Sequence, residues 1–244
     1  EIAIREKPEL AGEHIAAIMI PFVNISQSQT LFSDLNRYAR NPSRSISLLF
    51  AHRDPIAKIS KTLATKVSVL KDRVNMESTS LSVNTSHFIT LSTLYETVKS
   101  QLPSTWTSTP SDKELKVRIS NQIKMWSSLV EVVTQWKSVQ EESEHPAYLR
   151  QRFINMHGVG QRAIINAAAK LRKESPRGWQ KKISALSSID WQITNPEWQN
   201  VAVQGGRVNN TSTSVKLLSA AVAKKLGLTI DPELDEVLRS VDTS

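Results

Sequence analysis

Ser33-Asp34-Leu35-Asn36-Arg37-Tyr38-Ala39-Arg40, then Pro42-Ser43-Arg44-Ser45, then His52-Arg53-Asp54-Pro55, all fall between Ser28 and Pro55. Leu31, Leu35, Tyr38 and Ala39 recur at helical spacing, which predicts a helix from about Ser28 that stops before Asn41-Pro42. Asp34 and Arg37 are three residues apart and so are neighbours across one turn. Ser43 is placed to cap a second helix carrying Ile46, Leu48, Leu49 and Phe50, and Asp54-Pro55 ends it. Two readings follow. In one, the stretch is a helix-turn-helix hairpin with surface arginines and with Asp54 capping the next helix. In the other, Asp34, Asn36, Arg37, Arg44, His52, Arg53 and Asp54 converge on an anion.

Working outward, Ile15 to Val23 is a short branched apolar run suited to a buried strand. From Ile56 onward the periodicity is helical. Ile59, Leu63, Val67 and Leu70 mark one helix, and Leu91, Leu94, Tyr95, Val98 and Leu102 another. Ser111 followed by Glu114 forms a capping box ahead of one long stripe, Leu115, Ile119, Ile123, Trp126, Val130, Val133 and Trp136. Tyr148 to Leu171 reads as a helix that His157-Gly158-Val159-Gly160 must kink, break or pack closely. Trp191, Trp198, Val201 and Val203 lie in a Pro- and Asn-punctuated stretch expected to form a short hairpin with Arg207-Val208, and a last good helix is expected from Thr211 or Ser212, stopped by Gly227. The fold class is therefore α+β and predominantly helical, with an α/β remnant at 1–55 and a mainly helical domain at 56–244.

The chain of 244 residues carries a net charge of +8 and no cysteine. Disulfides, thiolate catalysis and zinc-thiolate sites are thus excluded, and a reducing cytoplasm fits. No apolar run is long enough to span a bilayer. The charge is concentrated in one interval. Arg150, Arg152, Arg162, Lys170, Arg172, Lys173, Arg177, Lys181 and Lys182 are opposed there by Glu174 alone. Such a stripe is either a solvated helix face or the electrostatic footprint of a polyanion. The histidines show no metal-binding spacing, and no Walker loop or nucleophile elbow is present, so neither a metal site nor catalytic residues are assigned.

The run Gln27 to Ala39, with Pro42-Ser43-Arg44-Ser45 and His52-Arg53-Asp54-Pro55, resembles the DndB family, DGQHR-domain proteins associated with phosphorothioate modification of DNA. The likeness continues through Glu77-Ser78-Thr79-Ser80-Leu81-Ser82 and Phe88 to Tyr95, and loosens toward Gly206-Arg207-Val208 and Lys225-Leu226-Gly227-Leu228. The Asp-Gly-Gln-His-Arg motif itself is absent; Gly12-Glu13-His14 lacks its acid and its arginine. Family order would put that motif ahead of Glu1, so the chain reads as the C-terminal portion of a longer protein.

The resemblance implies that residues 1–55 are the tail of a ParB/sulfiredoxin-like domain. In that fold Asp34-Leu35-Asn36-Arg37 would take the place of the nucleotide-binding Glu-Asn-x-x-Arg segment. Asn36 would then face a magnesium held by a nucleoside triphosphate, Arg37 and Arg44 would neutralise phosphate oxygens, and His52, Arg53 and Asp54 would close the pocket. Hydrolysis would belong to the full-length protein and not to this portion.

The leading functional expectation is a DNA-binding regulator, a repressor type of protein, of a phosphorothioate-modification gene cluster. Its partner would be promoter duplex held by the 150–182 stripe, with Gln161, Arg162, Asn166, Asn209 and Asn210 as candidate base contacts. The alternative is a nucleotide-binding accessory of the same restriction-modification machinery. A homodimer would suit a two-fold operator, and other modification proteins are further candidate partners.

Overall fold

The computed structural model describes residues 12, 21, 24–28, 42–103, 106 and 110–242. The chain divides into two compact units, Glu1–Asn41 and Pro42–Ser244. In the first unit residues 25–28 are helical, and Asn24 Oδ1 accepts the Gln27 amide at 2.8 Å. The expected strand at 15–23 and nearly all of the expected helix beyond Ser28, with Asp34, Asn36 and Arg37, lie outside the described residues.

The second unit is mostly helical, as the periodicity requires. Helix α1 (Arg44–Leu49) starts where Ser43 Oγ accepts the Ile46 amide. Helix α2 (Pro55–Lys66) has Asp54 as its cap and proline at its first position, where the missing N–H removes no hydrogen bond. Strand β1 (Val74–Asn75) pairs in parallel with β2 (Ile89–Thr90), Val74 opposite Ile89, and β2 runs straight into α3 (Leu91–Lys99). That parallel pair has no periodic signal, being two residues long.

Ser111 and Glu114 form the expected capping box on α4 (Asp112–Val132). The long stripe is not one helix, however. Val132-Val133-Thr134 is a β-branched run, Val133 turns extended, and α5 (Thr134–Gln140) starts anew. The stripe survives the bend. Trp126 and Trp136 lie on either side of it, both fully buried, stacked at 5.5 Å, and the edge of Phe88 meets Trp136 at 5.6 Å.

The expected Tyr148–Leu171 helix breaks at its glycines. It becomes α6 (Pro146–Arg152), a 3-10 turn (Ile154–Met156) and α7 (Gly158–Glu174). Gly160 explains the break. A Cβ there would lie 2.3 Å from Ile154 O and 2.7 Å from Asn155 Cα, so the first turn of α7 can rest on the preceding turn only without a side chain.

Short α8 (Trp179–Lys182) and a 3-10 turn (Ile183–Ser188) follow, and Trp191 stacks on Trp198 at 5.8 Å. Strands β3 (Val203–Gln204) and β4 (Arg207–Val208) form the expected hairpin, turned by Gly205 and Gly206, both at positive φ. Helix α9 (Ser212–Lys225), capped by Thr211 and stopped at Gly227, makes the most extensive pairing of the unit, along α7. One further helix, α10 (Pro232–Asp242), follows the one expected to be last. Asp231 before Pro232, with Leu234, Val237 and Leu238 at helical spacing, is the signal that marks it.

Candidate nucleic-acid interface

Of the residues assigned to an anion pocket, Arg44, His52, Arg53 and Asp54 are described, and two of them are engaged elsewhere. Asp54 Oδ1 accepts the amides of Ile56 (2.8 Å) and Ala57 (3.2 Å), and Oδ2 accepts the Tyr95 hydroxyl at 2.9 Å. Arg44 pairs with Glu96 and lies 5.7 Å from the centre of the Tyr95 ring. This cluster ties α1, α2 and α3 together. Asp54 thus caps the next helix, as the first reading of this stretch has it, while Asp34, Asn36 and Arg37, the other members of the expected pocket, lie outside the described residues. His52 and Arg53 are exposed on the connecting turn.

The basic stripe is not one surface either. Arg150 and Arg152 precede α7, whereas Lys170, Arg172 and Lys173 sit toward the far end of that helix, which is about 24 Å long at 1.5 Å per residue. Arg150 is the plainest correction. It is only 2% exposed, and its guanidinium donates to the carbonyls of Ser82 (3.3 Å), Thr85 (3.1 Å) and His87. Burial pulls it down to about 10, and among the described residues it has no carboxylate partner. It is an internal clasp for the loop before β2 and presents nothing to a duplex. Arg152 is exposed, stacked over Tyr148 and Phe153, and Arg162 is half-buried. Among the candidate base readers, Gln161 is buried and donates to Phe88 O at 2.8 Å, which removes it from that role.

The other end of α7 does gather charge. A groove of about 510 Å³ runs between the end of α3, α4 and α7. Arg118, Lys170, Arg172 and Lys173 line it with the amides of Gln101, Asn121, Gln122 and Asn166, and no acidic side chain does. Three of the four cations have partners. Arg172 donates to Asn121 Oδ1 at 2.6 Å and lies 5.8 Å from the Trp179 ring; Arg118 lies 5.2 Å from the Trp106 ring; Lys170 donates to Thr229 O. Lys173 is exposed, as are Arg177, Lys181 and Lys182 beyond the groove. Asn166 accepts from Ser100 Oγ at 2.7 Å and donates to Ser219 Oγ at 3.2 Å, so it braces the wall.

The forked donors of Arg118 and Arg172 beside planar amides suit phosphate oxygens, and Glu174, 3.9 Å from Lys170, is an acidic neighbour that does not line the groove. The contrast with a larger depression of about 640 Å³ near α5 is instructive. Lys71 and Arg73 share it with Asp72, Glu142 and Glu144, so it selects neither sign. Arg118 is the member of the groove that charge counting along the chain missed; it is brought in by helix packing from a segment of balanced charge. Among the described residues no three His, Asp or Glu side chains gather as a metal-holding group, and no helix is long and apolar enough to cross a membrane.

A family model, DndB, described as DNA-sulfur modification-associated, matches residues 1–229. No curated protein and no solved structure matches the chain. The match extends well beyond the first hundred residues, where the sequence likeness is most specific, and takes in the groove and α7.

Proposed function

Because the chain belongs to the DndB family of DNA-sulfur-modification-associated proteins, we propose that it acts as a DNA-binding regulator of the gene cluster encoding a DNA phosphorothioate-modification system, with promoter duplex as its partner. The observation that carries this reading is the acid-free groove of Arg118, Lys170, Arg172 and Lys173, continued by exposed Arg177, Lys181 and Lys182. Contacts of this kind give affinity and strong salt dependence. They position a protein on DNA without choosing a sequence, so promoter preference has to come from base-edge contacts, for which exposed Asn210 and half-buried Arg162 and Asn209 remain candidates. A two-fold operator would call for a homodimer.

The test is fluorescence anisotropy of this chain on promoter duplex and on scrambled duplex across a salt series. Tight, promoter-preferring binding supports the regulator. Weak binding that is indifferent to sequence and to salt overturns it. The accessory reading, with a nucleoside triphosphate and magnesium near Asn36 and Arg37, has less support. Arg44 and Asp54, two of its members, serve Glu96, Tyr95 and the α2 cap.

A further inference from the structure

We propose that the N-terminus of α7 is a binding site for a single tetrahedral oxyanion of the phosphate class, separate from the basic groove and independent of the DNA reading. A cavity of about 150 Å³ lies there, lined by Arg150, His157, Gly158, Thr90, Thr93 and Asn210 among others, and by no acidic side chain. The volume suits a small ion with its waters and falls below the roughly 300–1,000 Å³ of pockets that enclose larger ligands.

Two independent features point to an anion. The first is the helix end. His157, at the cap position, makes no side-chain hydrogen bond to α7, and the amides of Gly158, Val159 and Gly160 have no acceptor among the described residues. Of these three residues Gly158 lines the cavity, so the positive end of a 17-residue helix meets it through Gly158. The second is Arg150. It is 98% buried, and among the described residues it has no carboxylate partner and its Nε has no hydrogen-bond partner. Its three occupied donors face neutral carbonyls, so its charge is uncompensated in a desolvated place. Arg150 lines the cavity, and an anion there would supply the missing charge.

The remaining wall fits. Thr93 Oγ1 already accepts from Thr90 Oγ1 at 2.9 Å, which leaves its own hydrogen to donate. His157 Nε2 donates to Arg150 O at 2.8 Å, and burial holds the imidazole below its ordinary value, so it orients Arg150's segment as a neutral ring. Gly158 lets the ligand approach. A Cβ on it would stand 3.3 Å from both Thr93 Oγ1 and Asn210 Nδ2.

The test is thermal unfolding of the whole chain in inorganic phosphate against chloride at matched ionic strength, repeated with a short oligonucleotide bearing a 5′-phosphate and its 5′-hydroxyl counterpart. Phosphate should raise Tm saturably, by roughly 5–10 °C at a hundredfold excess over Kd. Gly158→Ala and Thr93→Val, which leave the Arg150 clasp intact, should weaken this at least tenfold, whereas Lys173→Ala/Lys181→Ala should leave it unchanged. A response to the 5′-phosphate oligonucleotide and not to its 5′-hydroxyl counterpart would identify a nucleic-acid end as the source; a response to inorganic phosphate alone would identify the free ion. The proposal is overturned if no saturable shift occurs. It is equally overturned if the shift persists in Gly158→Ala and Thr93→Val and disappears in the lysine variant.

Discussion

Tyr95 on α3 donates its hydroxyl to Asp54 Oδ2 at 2.9 Å, while Oδ1 of the same carboxylate receives the first amides of α2. One carboxylate therefore caps a helix and anchors a second. Burial, and then the Asp54 carboxylate, push the Tyr95 phenol up to about 12.

The folded state accordingly keeps a proton on Tyr95 that the unfolded chain releases near pH 10. Its contribution to stability is fully present below pH 10 and is lost as the pH rises toward 12. Denaturant melts of wild type and Tyr95→Phe across that range isolate it, because Arg150, lowered to about 10, titrates in both proteins. The variant should be less stable by about 1–2 kcal/mol at neutral pH, with the gap closing by pH 12. Asp54→Ala, which removes cap and anchor together, should cost about 2 kcal/mol or more.

Arg150→Ala should destabilise the protein by about 2–4 kcal/mol, since three loop carbonyls lose their donor. Arg150→Lys should rescue little, because an ammonium cannot span the three acceptors of the planar fork. Limited proteolysis should place the first cuts of either variant between Glu77 and His87. Unaltered protection of that segment would mean that Arg150 does not hold it.

The two glycines of α7 should behave oppositely. Gly160→Ala drives a methyl into Ile154 O and Asn155 Cα and is expected to lower stability by about 3 kcal/mol. Gly158→Ala meets only side-chain atoms at 3.3 Å and should stay within about 1 kcal/mol of wild type. Urea midpoints of the pair check both.

On duplex DNA, replacing Lys173, Arg177, Lys181 and Lys182 together with alanine should reduce the slope of log K against log salt by up to about 3.6, at roughly 0.9 per phosphate contact. An unchanged slope would remove this end of α7 from the interface.

What could be read in advance divides along physical lines. Caps, boxes and positive-φ glycines are local, so Ser43, Asp54, Ser111, Thr211 and the Gly227 stop are legible residue by residue. The bend at Val133 was harder, because the apolar stripe runs through it and only the β-branched run betrays it. Charge counting found the cations of α7 but could not tell Arg150, turned inward by loop carbonyls, from Lys173, turned outward. Arg118 and Trp106 enter the basic end only through packing, which no window along the chain contains.

The Arg150 clasp also sets an order of events. Its acceptors lie 63 to 68 residues upstream, so at about 5–20 residues per second the loop is synthesised some 3–14 s before the guanidinium that will close it. Contacts of such long sequence separation form late in folding. The waiting segment, Glu77-Ser78-Thr79-Ser80-Leu81-Ser82-Val83-Asn84-Thr85-Ser86-His87, is rich in hydroxyls and poor in large apolar groups. It can remain hydrated on the nascent chain without becoming a sticky edge, and the start of α7 acquires its walls only when α6 arrives.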